Sequence, residues 1–323
     1  MAKYAQRDLH VDQLLTNLSI KYQNPAYIAD QIFPIVPVMK QSDKYVVYDQ
    51  SHWFRNEARI RAPGTKSERG GWSYSEDTFF CDRFSYGVEI FDEERDNSDV
   101  QFDLDRDATE FATDKILMQR EVAFASGFFT TGVWGTNRTG VASAPSASQF
   151  VQWNDYANSD PLGDLSAWMD LIEASIGREP NRLVMGKQVW TKIKWHPDLI
   201  DTIKYTQRAQ MTMDLAEALF EIERILIGRA IYTTSPEGTA EASVSYSRIW
   251  GKHLLATFVP ASASLRTPAA GYTFTWNRVP NSMMYIKRMR DEEREADIIE
   301  ANGYYDHKLT GAKAGLFADQ VVA

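Results

Sequence analysis

The spacing of apolar residues changes several times along the chain. In residues 1–23 only Leu9, Leu14, Leu15 and Leu18 can share a helical face, too little apolar surface for a helix to stand alone. Residues 24–38 fit no helical period. Pro25, Pro34 and Pro37 remove backbone donors and push their predecessors into extended geometry, which predicts an arm lying on another surface. Residues 44–53 alternate as a strand does, Tyr45 and Val47 against Val46 and Tyr48, and 79–90 form a second strand run. Together they predict a long two-stranded excursion. Such a ribbon is marginal in water, so it must rest on a partner, either elsewhere in the chain or on another copy.

Helical spacing follows. Ala108, Phe111, Ala112, Met118, Val122 and Ala125 recur three and four apart, predicting one helix over about 102–129 with Phe111, Met118 and Val122 turned to the core. At ~1.5 Å per residue it is roughly 40 Å long. Asp160-Pro161 reads as a helix start, Leu165, Trp168, Met169, Ile172 and Ile176 as its buried face, and Gly177 as its stop. Beyond it the pattern predicts a short buried strand at 183–185 and helices at about 187–195, 197–205 and 214–220. Strands are predicted at 222–233, 254–259, 272–277, 283–290, 296–308 and 315–322. Loops rich in small residues and proline fall at 143–148, 235–243 and 260–271. The class is α+β, with no internal repeat.

Composition narrows the chemistry. The 323 residues are 44% apolar and 24% charged, enough to bury a sizeable core. The net charge of −9, from 35 basic and 44 acidic side chains, argues against a sequence-reading nucleic-acid binder. The single cysteine, Cys81, excludes an intramolecular disulfide framework and reads as a buried structural thiol. No run approaches ~18 apolar residues, and the first residues lack the apolar core of a signal peptide, so a soluble protein made in a reducing cytoplasm is expected.

The catalytic motifs fail one by one. Gly186-Lys187 lacks the spacing and the metal-binding hydroxyl of a phosphate loop and reads as a strand-to-helix turn. Asp103, Asp105 and Asp107 resemble the opening of a calcium loop. Ala108 stands where that loop needs glycine, so they read as acids at a helix N-terminus. The five histidines have no metal-ligand spacing, and no nucleophile elbow occurs. No catalytic residue, cofactor site or metal site is expected.

Charge segregation is stronger than any motif. Residues 55–71 carry Arg55, Arg59, Arg61, Lys66 and Arg69 against two acids, +3, whereas residues 72–110 carry thirteen acids against three bases, −10. The arginine-rich stretch is either a solvated loop or a docking element, and the sharper expectation is that it meets carboxylates of an adjacent copy, first among them Glu93, Glu94, Asp96 and Asp99.

These features, in this order, resemble the major capsid proteins of tailed bacteriophages. The likeness rests on 28–34 (Ile-Ala-Asp-Gln-Ile-Phe-Pro), Asp43-Lys44-Tyr45, 104–109 (Leu-Asp-Arg-Asp-Ala-Thr), 128–134 (Phe-Phe-Thr-Thr-Gly-Val-Trp) and 183–190 (Leu-Val-Met-Gly-Lys-Gln-Val-Trp). The resemblance implies an N-terminal arm over 1–43, an E-loop hairpin over 44–90 and a P-domain with its spine helix over 91–157. It further implies a mixed α/β A-domain over 158–271 and P-domain closing strands over 272–323. The function implied is structural: hexamers and pentamers of an icosahedral head, assembled in the host cytoplasm and enclosing double-stranded DNA without reading its sequence. Portal and scaffolding or decoration proteins are the implied partners; no membrane and no cofactor is involved. The short arm favours a separate scaffolding protein. Some relatives join copies by Lys–Asn links, but Lys66 and Asn302 sit in no matching motif, so no crosslink is expected. Two other readings remain at this point: an encapsulin-like nanocompartment shell around a protein cargo, and an α/β enzyme.

Overall fold

Two sheets organise the chain, one centred on fully buried strands and the other on a long strand that is buried over half its length. The structure, a computed structural model, describes residues 24, 27–98, 103–203, 211–260, 268–277 and 284–323. The expected Leu9–Leu18 helix face and Asp99 lie outside the described residues. The strands are β1 (Ile35–Val38), β2 (Ser42–Tyr48), β3 (Tyr74–Phe80), β4 (Asp82–Phe91), β5 (Thr136–Val141), β6 (Gln149–Val151), β7 (Arg182–Gly186), β8 (Arg224–Gly228), β9 (Ile231–Thr233), β10 (Tyr246–Arg248), β11 (Leu254–Thr257), β12 (Gly271–Trp276), β13 (Met284–Asp291), β14 (Ala296–Leu309) and β15 (Gly315–Asp319). The helices are α1 (Ala29–Ile32), α2 (Gln50–Trp53), α3 (Asp92–Asp96), α4 (Leu104–Phe128), α5 (Pro161–Ile176), α6 (Lys187–Ile193), α7 (Pro197–Ile203) and α8 (Met213–Leu219).

The six-stranded sheet runs β6-β5-β15-β11-β7-β8. Its centre is apolar on both faces: Leu183, Val184 and Met185 of β7, Leu254, Leu255 and Ala256 of β11, and Leu316, Phe317 and Ala318 of β15 are all buried. Continuous apolar runs of this kind are what a sheet covered on both sides demands. Helix α5 supplies part of the cover through Leu165, Trp168, Ile172 and Ile176. Its ends are set locally, as the sequence predicts. The Asp160 carboxylate accepts the Gly163 N–H at 2.9 Å. Gly177 takes φ +69° and donates to the Glu173 carbonyl at 2.7 Å.

The second sheet runs β1-β12-β14-β13, with β4 also paired to β14. β14, fourteen residues long, is its axis. Helix α4 is continuous over 25 residues and lies across this sheet. Ala108, Ala112 and Ile116 pack on Ile90, Ile299 and Ala301, small residues letting helix and sheet approach. Asp103 caps the helix by accepting the Arg106 N–H at 3.1 Å, the role expected for an N-terminal acid.

Four expectations need correction. The expected apolar stripe of α4 holds only in part: Ala108, Ala112 and Ala125 are buried and Met118 and Val122 half-buried, but Phe111 is 48% exposed, touching Tyr86 and the Lys115 ammonium. The run over 79–90 is two strands. β3 pairs with β2, and after Cys81 the chain changes partner so that β4 pairs with β14. The change is tied down at Cys81, whose N–H donates to the Gln41 carbonyl at 2.9 Å. The run over 222–233 breaks at Arg229-Ala230 into β8 and β9. Finally, the last strand does not close the second sheet: β15 enters the six-stranded sheet between β5 and β11, because Leu316–Ala318 are buried on both faces. The closing segment 272–323 therefore serves both sheets.

Candidate functional site

Two segments lack a core of their own, and the structure treats them oppositely. The first is the arm. Its backbone amides at Ile28 and Ala29 point at one buried carboxylate, that of Glu121 on α4, which is 1% exposed. Glu121 accepts from Ile28 N at 3.1 and 3.2 Å, from Ala29 N at 3.0 Å and from the Trp250 indole N–H at 2.7 Å. One carboxylate thereby joins the arm, α4 and the turn that leads into β11. Burial pushes its carboxyl up from the usual range, against the pull of the three N–H groups.

Around this point the arm is held on every side. Asp30 pairs with Arg120, which is 3% exposed and stands over the Tyr305 ring. The Tyr27 hydroxyl donates to Asp114 at 2.8 Å. Asn24 exchanges two hydrogen bonds of 3.0 Å with the backbone of Ile231. Phe33 is buried against Phe124, Phe128 and Trp134. β1 then runs parallel to β12, with Ile35 opposite Thr273. His307, packed on Phe124 and bonded to Thr273 Oγ1 at 2.9 Å, is pushed down to about 4 by burial and by the Arg120 charge.

The second segment is the hairpin. Its base is anchored: Tyr45 and Phe79 pack on Phe274, and Cys81 is buried, its thiol pushed up to about 12 by burial. α2 touches the chain's own α5, the Gln50 amide donating to the Ser175 carbonyl and Phe54 lying against Gly177. Beyond it, residues 55–78 are exposed throughout. Trp53, Phe54, Ile60 and Trp72 are large apolar side chains facing water. Pro63-Gly64 makes the turn, with Gly64 at φ +82° and Thr65 N–H donating to the Ala62 carbonyl at 3.2 Å.

The expected contact residues fall as follows. Arg55 pairs with Glu57 at 3.1 Å, and Arg61 donates to the Thr65 carbonyl at 2.5 Å. Arg59, Lys66 and Arg69 have no carboxylate partner among the described residues. Of the acids, Glu93, Glu94 and Asp96 lie on α3 and likewise have no cation partner among the described residues. Their neighbours do. Asp92 is bound by Arg290 at 2.5 Å, Asp297 by Arg95 at 2.6 Å and Arg290 at 3.4 Å, and Asp105 by Arg95 at 2.8 Å and Arg288 at 3.1 Å. These guanidinium hydrogen bonds hold Asp92 and Asp297 below the usual carboxylate range. Within one chain, then, the hairpin cations and the α3 acids are not brought together. Two acids of the segment, Asp92 and Asp105, are instead paired with Arg290 and Arg288 of β13, which sequence reading missed.

Sequence reading also missed a Ser-His-Asp constellation. Ser159 Oγ lies 3.0 Å from His196 Nε2, and His196 Nδ1 lies 3.6 Å from Asp198. It cannot work as a nucleophile relay. The serine hydroxyl donates to the Asp155 carbonyl at 2.6 Å, so the imidazole N–H must point at Oγ, and both side chains are buried. Gly186-Lys187 is the strand-to-helix turn the sequence predicts. Asn302 is buried, its amide oxygen taken by Arg83 Nε at 2.8 Å and Nη2 at 2.6 Å, so it offers nothing to Lys66 in this arrangement. No helix among the described residues is long and apolar enough to cross a membrane.

The same architecture occurs in solved structures. A phage-related protein from Bordetella bronchiseptica RB50 superposes with a TM-score of 0.69 at 21% identity, over 96% of this chain and 97% of that one. The capsid of cyanophage P-SCSP1u does so with a TM-score of 0.61 at 11% identity, over 97% and 93%. The fold is thus that of the tailed-phage major capsid proteins. A family model described as phage major capsid protein E matches residues 149–241. The major capsid protein of Burkholderia phage BcepMu is 27% identical over 310 residues, 94% of each chain. The chain is thus similar to phage major capsid proteins over nearly its whole length.

Proposed function

We propose that this chain builds the shell of a tailed-phage head, associating into hexamers and pentamers around double-stranded DNA. The observation that carries this reading is the contrast between a sealed arm and an open hairpin. Trp53, Phe54, Ile60 and Trp72 expose apolar surface that water disfavours, on a ribbon too thin to cover it. In a shell, a neighbouring copy covers that surface. Arg55, Arg59, Arg61, Lys66 and Arg69 then meet Glu93, Glu94, Asp96 and Asp99 of the adjacent copy. Each exposed pair is worth only ~0–1 kcal/mol, but an assembly repeats it at every contact, so it sets register and partner choice.

On this reading the division is arm 1–43, E-loop 44–90, P-domain 91–157, A-domain 158–271 and closing strands 272–323, with β5, β6 and β15 joining the A-domain strands in one sheet. The location is the virion, assembled in the host cytoplasm, with portal and scaffolding or decoration proteins as partners and a structural rather than catalytic role.

Electron microscopy of the purified chain tests the reading. Closed particles of megadalton size, containing DNA when recovered from a phage lysate, are expected. A stable monomer or dimer under all assembly conditions overturns it, and closed particles that hold protein cargo and no DNA replace it with a nanocompartment.

A further inference from the structure

Outside the arm and the hairpin, one edge of the six-stranded sheet gathers positive charge. β7 and β8 are parallel and end in register, Gly186 opposite Gly228. The next residues, Lys187 and Arg229, therefore leave the sheet side by side. Segment 248–253 crosses directly over these strand ends. A Cβ on Gly186 would collide with the Gly251 carbonyl, and one on Gly228 with the Trp250 ring, so both positions require glycine for the close approach. The Gly186 N–H donates to the His253 carbonyl at 3.2 Å. The crossing brings Arg248 and Lys252 to the same edge.

Lys187, Lys194, Arg229, Arg248 and Lys252 have no ion-pair partner among the described residues. Asp319, beside His253, is engaged with it at 2.7 Å. Lys187 is half-buried, and its ammonium is pushed down by that burial and by Arg229, Lys194 and Arg248. Beside them opens a groove of about 670 Å3 whose wall includes Gln152, Gln188, Arg248, Lys252, Gln320 and Ala323, the last bringing one terminal carboxylate against the two cations and the neutral donors. In a chain of net charge −9, such a concentration of unpaired cations and neutral donors is a local exception.

We infer that this edge, carrying Lys187, Arg229, Arg248 and Lys252 beside the groove, binds phosphates of a nucleic-acid backbone. Guanidinium forks and ammonium groups are the side chains that hold phosphate oxygens, and amide and hydroxyl donors complete their hydrogen bonding. Contacts of this kind position a duplex without reading it, which agrees with a chain that has no sequence-reading element. The inference rests on the DNA-filled shell proposed above, where phosphate is the abundant anion. It adds that the β7–β8 edge faces the shell interior.

The test uses the full-length chain and a short labelled DNA duplex, with fluorescence anisotropy read across a salt series. The triple variant Lys187→Gln, Arg229→Gln, Arg248→Gln should bind at least about tenfold more weakly at low salt. Its slope of log affinity against log salt should shrink by roughly 2–3, about one for each phosphate that is no longer neutralised. Arg248→Gln alone should shrink it by about one, which keeps the test open if the triple variant folds poorly. Lys287→Gln, at an exposed lysine of β13 in the other sheet, should leave duplex binding unchanged. Equal affinity and slope for the edge variants and the unaltered chain overturns the inference, as does an unaltered chain that binds no duplex. Edge variants that bind duplex normally but fail to form particles also overturn it, assigning the edge to carboxylates of a neighbouring copy. Electron microscopy of the unaltered chain reports separately on shell formation, so failure of the shell reading and failure of the phosphate site are distinguishable.

Discussion

The arm and the hairpin begin with the same problem and end in opposite states. Each is an extension without enough apolar surface to fold alone. The arm has its polar groups answered by its own chain: Ile28 and Ala29 by Glu121, Asp30 by Arg120, Tyr27 by Asp114. The hairpin leaves Arg59, Lys66 and Arg69 without carboxylates among the described residues and Ile60 fully exposed. The difference separates contacts that make the subunit from contacts reserved for other subunits. It also predicts that mutations in the two segments fail at different stages.

The largest effect is expected at Glu121. Glu121→Ala strands two buried backbone donors and an indole N–H, and should cost ~3–5 kcal/mol of subunit stability by chemical denaturation. Glu121→Gln keeps an acceptor and should cost less. If the alanine variant unfolds like the unaltered chain, the arm is not latched as described and the contrast between the segments collapses.

A smaller effect separates the two segments by pH. His307, under the arm, titrates at about 4 when folded against 6.5 for an ordinary histidine. Between those values the unfolded chain takes up a proton that the folded chain refuses, so stability falls as pH falls through the window from 6.5 towards 4. His307→Gln should flatten that part of the stability curve measured by thermal melting. An unchanged curve would show that His307 does not couple the latch to pH. No comparable buried base stands under the described part of the hairpin.

The smallest effect on stability, and the most telling, belongs to the hairpin. Arg59→Glu with Arg61→Glu should shift subunit stability by no more than ~0.5 kcal/mol, as for exposed sites elsewhere. Particle yield, followed by light scattering, should nevertheless fall. Raising salt beyond about 0.1 M should slow assembly of the unaltered chain in the same direction, because surface pairs are screened over ~10 Å. A reversal variant that melts early, or one that assembles normally, would erase the distinction between the two segments.

What could be read from the sequence was what is decided locally. The limits of α5 are set by Asp160-Pro161 and Gly177, within a turn of where they act, and both were legible. The length of α4 was legible too, and so was the burial of Ala108, Ala112 and Ala125; the exposure of Phe111 was not. Its apolar character placed Phe111 on the expected face, whereas tight packing on β14 selects the small Ala108 and Ala112. A better signal was present: Arg120 falls on the row Ala108, Ala112, Ile116, Phe124, and a cation on a buried row asks for a partner such as Asp30. The α3 neighbourhood was misjudged for a different reason. Its acids Asp92 and Asp105 find Arg290 and Arg288 far along the chain, and no local spacing announces such pairs. β5, with the sequence Thr-Asn-Arg-Thr-Gly-Val, carries too little apolar pattern to be seen as a strand until β15 lies beside it.

That last pairing fixes a timetable. β5 and β6 emerge from the ribosome early, but the strand that joins them to the rest of their sheet follows only after residue 314. At ~5–20 residues per second, the gap of about 175 residues lasts roughly 10–35 s. Through that interval one edge of β5 has no in-chain partner, while the hairpin, translated earlier still, already carries its apolar tip. A nascent chain thus offers sticky surface before it can offer a finished subunit. Protection of these two edges during synthesis, rather than the speed of the final closure, is what should limit the yield of assembly-competent protein.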